Sequence, residues 1–548
     1  MWQENQANKH MQLTQNRYFL ACLSAFLLWL AWPPMPYTSF LLFVAFVPLL
    51  FAVEAIQTSD QPKKGRKIFG LAFLSFVLWN TASIYWVFNS LHAAMPLPAA
   101  LAISLIPFGL GALLMALAFW GYYAVSQVLN KTWTYVALAC FWISYEYLHQ
   151  SWDLAFPWMN LGNGFAQTHQ LVQWYECTGV YGGTVWVLLA NIFLFEALRQ
   201  KSRKLGLIGL AWIIVPAVFS LIRYETYTEK INPANVVVVQ PNVDPYQKYG
   251  SLSSEQQVAR LIDLSQQQAQ PNTEYFIWPE TAMVGFTDEE QIRANALYLQ
   301  VLNFLQPYAN ANVLSGIESY KNFGKDSVAS AQYDPGSGNF LVPYNAAIHI
   351  ENAANVQFYH KSKLVPGVEQ LPFPRFFSFF KSAFSAFGGS TGGYGKQAKP
   401  SVFYAQSGMG VSPIICYESI WGSYVAESVR QGAGFIAIIT NDAWWGNTSG
   451  KDQHLAYAKL RAIENRRWVA RSANTGISGF INQRGDVVKK SGWWVPAALK
   501  ADINLNEEQT FYTQYGDILA ILGCSGAFAL VLLALYMRYK LKPSFKTS

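Results

Sequence analysis

Three kinds of side chain stand at the ends of apolar runs in the middle of this sequence, and together they can perform acyl transfer. Cys416 closes Pro413-Ile414-Ile415-Cys416-Tyr417-Glu418, and Glu280 closes Phe276-Ile277-Trp278-Pro279-Glu280. Lys361 sits in Tyr359-His360-Lys361-Ser362-Lys363-Leu364-Val365-Pro366, with Glu369 further on. A neutral thiol is a poor nucleophile, so Cys416 needs a base to become a thiolate. Glu280, partly desolvated at a strand end, has the chemistry to accept that proton. Attack on an ester creates a tetrahedral oxyanion, which a fixed ammonium such as Lys361 and the backbone N–H after the cysteine can stabilise. An unpaired cysteine is more often a small buried hydrophobe than a nucleophile. The case for Cys416 therefore rests on its neighbours.

The segments that must position these groups read as alternating strands and helices. Strands are predicted at Val236–Val239, Tyr275–Trp278, Val313–Ile317, Ala346–Ile350, Val411–Ile415 and Phe435–Ile439, with a helix over about 253–270. Near-continuous apolar strands interleaved with helices imply sheets covered on their faces by helices. A nucleophile placed where a strand leaves its sheet exposes the sulfur while the backbone beneath stays fixed.

This mixed region is flanked by apolar runs. Hydrophobic residues make up 52% of the 548 and charged residues only 13%, too few to cover a soluble surface of this size. Runs long enough to span a bilayer lie near 18–34, 37–55, 68–88, 97–126, 132–148, 180–198 and 205–222, and an eighth near 517–537. The domain organisation expected is a membrane part over 1–224, a water-facing part over 225–515, and a last span with its tail over 516–548. The first run has no convincing small-x-small cleavage site and more spans follow at once, so it reads as a span rather than a cleaved leader.

The net charge of +7 does not point to nucleic acid, because the basic residues cluster between the apolar runs. Lys9, Arg17, Lys63, Lys64, Arg66, Lys67, Lys131, Arg199, Lys201, Arg203, Lys204, Arg538, Lys540, Lys542 and Lys546 fall on one side, while the loops near 35–38, 89–97 and 149–180 hold no lysine or arginine. The positive-inside rule then places both termini in the cytoplasm and the water-facing domain outside. Of the five cysteines, only Cys416 lies in that domain, so no disulfide can form within it.

Taken together, the glutamate, lysine and cysteine resemble the catalytic set of the nitrilase superfamily. Within it the chain is similar to the membrane-bound apolipoprotein N-acyltransferase family, over nearly its whole length. Phe156-Pro157-Trp158, Tyr344-Asn345, Thr440-Asn441-Asp442-Ala443-Trp444-Trp445-Gly446, Arg461-Ala462-Ile463-Glu464-Asn465-Arg466 and Asn474-Thr475-Gly476 also fit. The resemblance implies an αββα sandwich joined to a multi-span α-helical membrane domain of eight transmembrane helices. It makes Glu280 the general base, Lys361 the oxyanion-stabilising cation and Cys416 the acyl carrier, with Glu369, Asn345, Tyr417 and Glu418 in support. It further implies a bacterial inner-membrane enzyme with a periplasmic catalytic domain and no cofactor. Such an enzyme moves an acyl chain from a phospholipid, through a Cys416 thioester, to the N-terminal amine of a diacylated lipoprotein. One departure stands out: the family often has Pro-Phe-Gly-Glu before its second glutamate, whereas this chain has Pro366-Gly367-Val368-Glu369.

Beyond Glu369, the aromatics Phe373, Phe376, Phe377, Phe379 and Phe380 lie beside Arg375 and Lys381, before a glycine-rich stretch. That composition suits a hinged lid resting in the membrane interface, against the plainer reading of a core helix and a long loop. Gly388-Gly389-Ser390-Thr391-Gly392 matches the serine-hydrolase elbow in letters alone, since no strand precedes it. The histidines show no zinc-ligand spacing. Glu146, late in an apolar run, reads either as a pathway residue or as a solvated or paired structural one, and Arg461 with Glu464 as a structural ion pair. Two other functional readings remain at this level: a membrane-tethered nitrilase-type amidase using water as acceptor, and a scaffold or transporter without chemistry.

Overall fold

Residues 17–245, 250, 252–353, 355–373 and 393–541 are described in a computed structural model. The chain divides into two compact units, one of Met1–His92, Pro96–Arg223 and Asp517–Ser548, the other of Ala93–Met95 and Tyr224–Gly516.

The first unit is helical. Among the described residues, five helices are long and apolar enough to cross a membrane: Ser39–Thr58, Leu97–Ser126, Val180–Gln200, Arg203–Thr226 and Ile518–Lys540. Lys64–Ser83 and Trp86–Ala94 make a sixth if this pair, bent by 61°, is one span. Each of the eight apolar runs is helical here, but Arg17–Leu30 is shorter than a span and Lys131–Leu148 falls outside the set. Length and composition thus support five or six crossings among the described residues, not the eight expected. Glu146 is fully buried. It accepts hydrogen bonds from Trp142 Nε1 (3.0 Å), the Leu161 N–H (2.8 Å) and Thr184 Oγ1 (2.7 Å), so it ties three segments together rather than facing solvent.

The second unit is a two-sheet sandwich. The first sheet holds β1 (Pro233–Gln240), β2 (Thr273–Ile277), β3 (Met283–Asp288), β4 (Asn312–Asn322), β5 (Gln332–Asp334), β6 (Asn339–Glu351), β7 (Val356–His360) and β14 (Ala497–Asn504). Its main order is β14-β1-β2-β4-β6-β5, with β3 paired to β4 and β7 to β6. The second sheet holds β8 (Phe403–Tyr404), β9 (Gly410–Ile415), β10 (Phe435–Thr440), β11 (Val469–Ala473), β12 (Gly479–Ile481) and β13 (Val487–Lys490), in the order β13-β12-β11-β10-β9-β8. The strands beneath the chemistry, β1-β2-β4 and β9-β10-β11, are parallel.

Side-chain alternation explains the layering. Along β1, Val236 and Val238 join Tyr275, Ile277, Ile415, Phe435 and Ile439 in the core between the sheets. Val237 and Val239 face the other way, packing with Val258 and Leu261 of helix Ser254–Gln266 and with Val301 and Phe304 of helix Ala296–Leu305. Both faces of the strand are therefore buried, which is why it reads as an unbroken apolar run. Helix Ser254–Gln266 starts where the Ser253 side chain accepts from the Gln256 N–H and the Gln256 side chain accepts from the Ser253 N–H, a reciprocal cap.

Candidate active site

The site forms where strands of both sheets end. Glu280 follows β2 on a short loop that crosses directly over β4. At Gly316 of β4, an added Cβ would lie 2.6 Å from the Glu280 Cα and 2.4 Å from the Thr281 nitrogen. The Gly316 N–H donates to the Pro279 carbonyl (3.1 Å), and Thr281 takes a left-handed backbone, φ 48°. Only a residue without a side chain lets the chain pass so close.

Lys361 immediately follows β7, its N–H bonded to the Asn345 carbonyl of β6 (2.9 Å). Its ammonium, 1% exposed, donates to Glu280 Oε1 and Glu369 Oε1, each at 2.9 Å. The Asn345 side-chain amide donates to the same two oxygens, at 2.9 and 2.8 Å. Two carboxylates, one ammonium and one amide thus close a ring. The amide orientation follows, because its oxygen in that place would face two carboxylate oxygens. Burial works against the Lys361 charge, but Glu280 and Glu369 outweigh it and hold the ammonium's pKa well above the ordinary lysine value. Among the described residues, Glu280 Oε2 takes no hydrogen bond.

Glu369 reaches the ring from a tight turn. Its N–H donates to the Val365 carbonyl (3.0 Å), its Oε2 accepts from the Val365 N–H (2.8 Å), and Gly367 takes φ 79°. Pro366-Gly367-Val368-Glu369 therefore still delivers its carboxylate to Lys361 and Asn345, with the glycine one place earlier.

Cys416 is the first residue after β9, buried, with a left-handed backbone at φ 50°. A non-glycine residue held there costs about 1–2 kcal/mol, and the surroundings must enforce it. Glu418 supplies part of that enforcement. Wholly buried, it accepts from the Ile415 N–H (2.9 Å) just before the cysteine, from the Ser362 and Lys363 N–H groups (2.6 and 3.2 Å) just after Lys361, and from the Tyr359 hydroxyl (2.6 Å). One carboxylate thereby ties the lysine's loop to the cysteine's. Burial pushes the Cys416 thiol up and the Glu280 charge adds to this, while Lys361 and a hydrogen bond with Thr440 oppose it.

The structure thus gathers Glu280, Lys361, Cys416, Glu369, Asn345 and Glu418. Tyr417 is buried beside them, its ring edge-on to Trp421 at 4.8 Å. Phe373 is half-buried at the start of the aromatic arm, while Phe376, Phe377, Phe379 and Phe380 lie outside the described residues. Arg461 and Glu464 form the buried ion pair expected of them (2.7 Å). Sequence reading assigned no role to Gly316, Thr440 or His454. For Thr440 the signal was present in a quoted motif, whereas nothing local marks the other two.

A two-sheet sandwich with a buried glutamate, lysine and cysteine at its strand ends has the form of a carbon–nitrogen hydrolase, and residues 235–512 match that family. Residues 24–193 match the apolipoprotein N-acyltransferase N-terminal domain. The chain is 28% identical to the apolipoprotein N-acyltransferase of Chlorobaculum tepidum, over 95% of this chain and 97% of the relative. It is 26% identical to that of Geobacter metallireducens (94% and 95% covered) and 27% identical to that of Thermotoga maritima (91% and 90%). The chain belongs to the apolipoprotein N-acyltransferase family.

Proposed function

We propose that this protein transfers a fatty acyl chain from a phospholipid to the N-terminal amine of a diacylglyceryl-modified lipoprotein, by way of a thioester on Cys416. The observation that carries the mechanism is the ring of Glu280, Lys361, Glu369 and Asn345, two of whose members, Glu280 and Lys361, act electrostatically on the buried Cys416 thiol.

Glu280 accepts the thiol proton through Oε2 while Oε1 stays bound to Lys361 and Asn345. The sulfur attacks the ester carbonyl, and the oxyanion is met by the Lys361 ammonium and the Tyr417 backbone N–H. The carbon–oxygen ester bond then breaks, and the departing lysophospholipid takes the proton from Glu280. In the second half a neutral amine attacks the thioester, the carbon–sulfur bond breaks, and Glu280 passes the amine's surplus proton back to sulfur. Glu369 and Asn345 keep Glu280 and Lys361 in register, and no cofactor enters either half.

Both substrates carry acyl chains that are costly to expose to water, which accounts for a catalytic domain held at a membrane. We place that domain, residues 225–515, on the periplasmic face of the bacterial inner membrane. Both termini are cytoplasmic, and helices Arg17–Leu30 and Lys131–Leu148 complete eight crossings within 1–224 and 516–548. The loop positions of the basic residues support this arrangement. The arm from Phe373 through Phe376, Phe377, Phe379 and Phe380 contacts the lipid chains.

Incubating the purified protein with labelled phospholipid and mapping adducts by mass spectrometry tests the proposal. An acyl group on Cys416 that leaves when a diacylated lipopeptide is added is the expected result. Fatty acid released equally without the peptide points to a hydrolase instead, and the absence of any adduct overturns the mechanism.

A further inference from the structure

We propose that His454 is a positioning residue for the nucleophile, locking the Cys416 peptide in its left-handed conformation from behind. This deepens the reading of Cys416 as acyl carrier and rests on it.

His454 lies on helix Ser449–Asn465 and is wholly buried, as are Ser419, Thr440, Asp442 and Arg471. Its Nε2 is 3.1 Å from the Cys416 carbonyl oxygen and 2.8 Å from Ser419 Oγ. A carbonyl can only accept, so the bond to it is donated by Nε2–H, the protonation this proposal requires of His454. The Ser419 hydroxyl donates to that same carbonyl at 2.8 Å. The oxygen of the strained residue is therefore gripped twice. The imidazole bonds the backbone carbonyl of the nucleophile, and in this role it orients Cys416 rather than exchanging its proton.

The imidazole is itself held. Its Nδ1 lies 3.0 Å from Asp442 Oδ1 and 2.9 Å from Arg471 Nη2, and Arg471 binds Asp442 Oδ2 at 2.7 Å. Thr440 donates to Asp442 Oδ1 at 3.0 Å, and the Trp445 ring stands edge-on to the imidazole at 5.1 Å. At Gly476 an added Cβ would come 2.5 Å from Asp442 Oδ2, so the carboxylate has no room to swing. Burial favours the neutral acid, yet Arg471 and His454 outweigh it and keep Asp442 ionised. Cys416 follows β9, Thr440 ends β10 and Arg471 lies on β11. The network thus runs across three adjacent parallel strands and transmits their rigidity to the one peptide that must stay strained. Preorganisation of this kind raises the chemical rate without strengthening substrate binding.

The test compares full-length wild type with His454→Gln and His454→Met, which are alike in size but differ in having an N–H near the Nε2 position. The readouts are the rate of Cys416 acylation by labelled phospholipid across substrate concentrations, and the melting temperature. In the Met variant the saturating rate is expected to fall about 10- to 100-fold with KM within about twofold. In the Gln variant it is expected to recover to within about fivefold of wild type. A Met variant that acylates as fast as wild type overturns the positioning role alone. Equal losses in Gln and Met overturn it too, since the donor would then be irrelevant. A wild-type protein that never acylates on Cys416 overturns the acyl-carrier reading, and this inference with it.

Discussion

Gly316 lies beneath Glu280 so closely that a methyl group on it would come 2.6 Å from the Glu280 Cα and equally close to the Pro279 carbonyl oxygen. The position of the proposed base is therefore set by the absence of a side chain on a neighbouring strand. Gly316→Ala is expected to lift the Pro279–Thr281 loop and cut Cys416 acylation about a hundredfold, the scale of an ångström-sized misplacement. A kinetic assay on protein that still elutes as a folded species checks this; unchanged acylation would show that the loop shifts harmlessly.

The Asn345 amide serves as a neutral spacer between two carboxylates. Asn345→Asp puts a third acidic oxygen against Glu280 and Glu369, where like charges repel. Asn345→Ala only removes two donors. The aspartate variant should be the slower of the two by about tenfold, as expected for an added penalty of about 1.4 kcal/mol. Parallel acylation rates near neutral pH decide the order.

Glu418 makes four hydrogen bonds from a site without water contact. Glu418→Gln loses the charge and turns an N–H₂ toward donors, leaving buried groups unsatisfied at a cost of about 1–3 kcal/mol. A lower melting temperature and slower acylation should appear together, because the same side chain holds both the Lys361 loop and the Cys416 loop. Loss of one without the other would separate them.

Burial and the Glu280 charge both push the Cys416 thiol up, so thiolate accumulates only at a pH above the usual cysteine range. Alkylation of Cys416 by a small reagent, followed on its own peptide, should keep rising past about pH 8.5, where free cysteine is half ionised. Glu280→Gln removes a charge that disfavours the thiolate, so in this variant the alkylation profile should shift to lower pH. Enzymatic acylation should nevertheless fall, because the proton acceptor is gone. If both activities fall with no shift in the profile, Glu280 is not close enough to influence the sulfur.

Much of the site was legible because its residues sit where apolar strands stop. The strand under Cys416 is buried throughout, and its end is marked by Ile414-Ile415 directly before the cysteine; Glu280 is marked in the same way by Phe276-Ile277-Trp278 before Pro279. Lys361 was noticed without its strand, since Val356–His360 is only partly buried and lacks that signal. In the membrane unit the apolar runs were all visible. The bend between Lys64–Ser83 and Trp86–Ala94 and the short length of Arg17–Leu30 were not, because hydropathy does not register where a helix turns.

Sequence alone determined the types of group available, their order along the chain and the segments that carry them, since burial of an apolar strand or helix is written into local composition. Tertiary structure alone decided which oxygen of Glu280 is occupied, that Asn345 bridges two acids, that Glu418 joins two loops and that His454 grips the Cys416 carbonyl. Those relationships link residues far apart in sequence across two sheets. Their hydrogen bonds depend on distances of tenths of an ångström, which only packing of the whole domain can set.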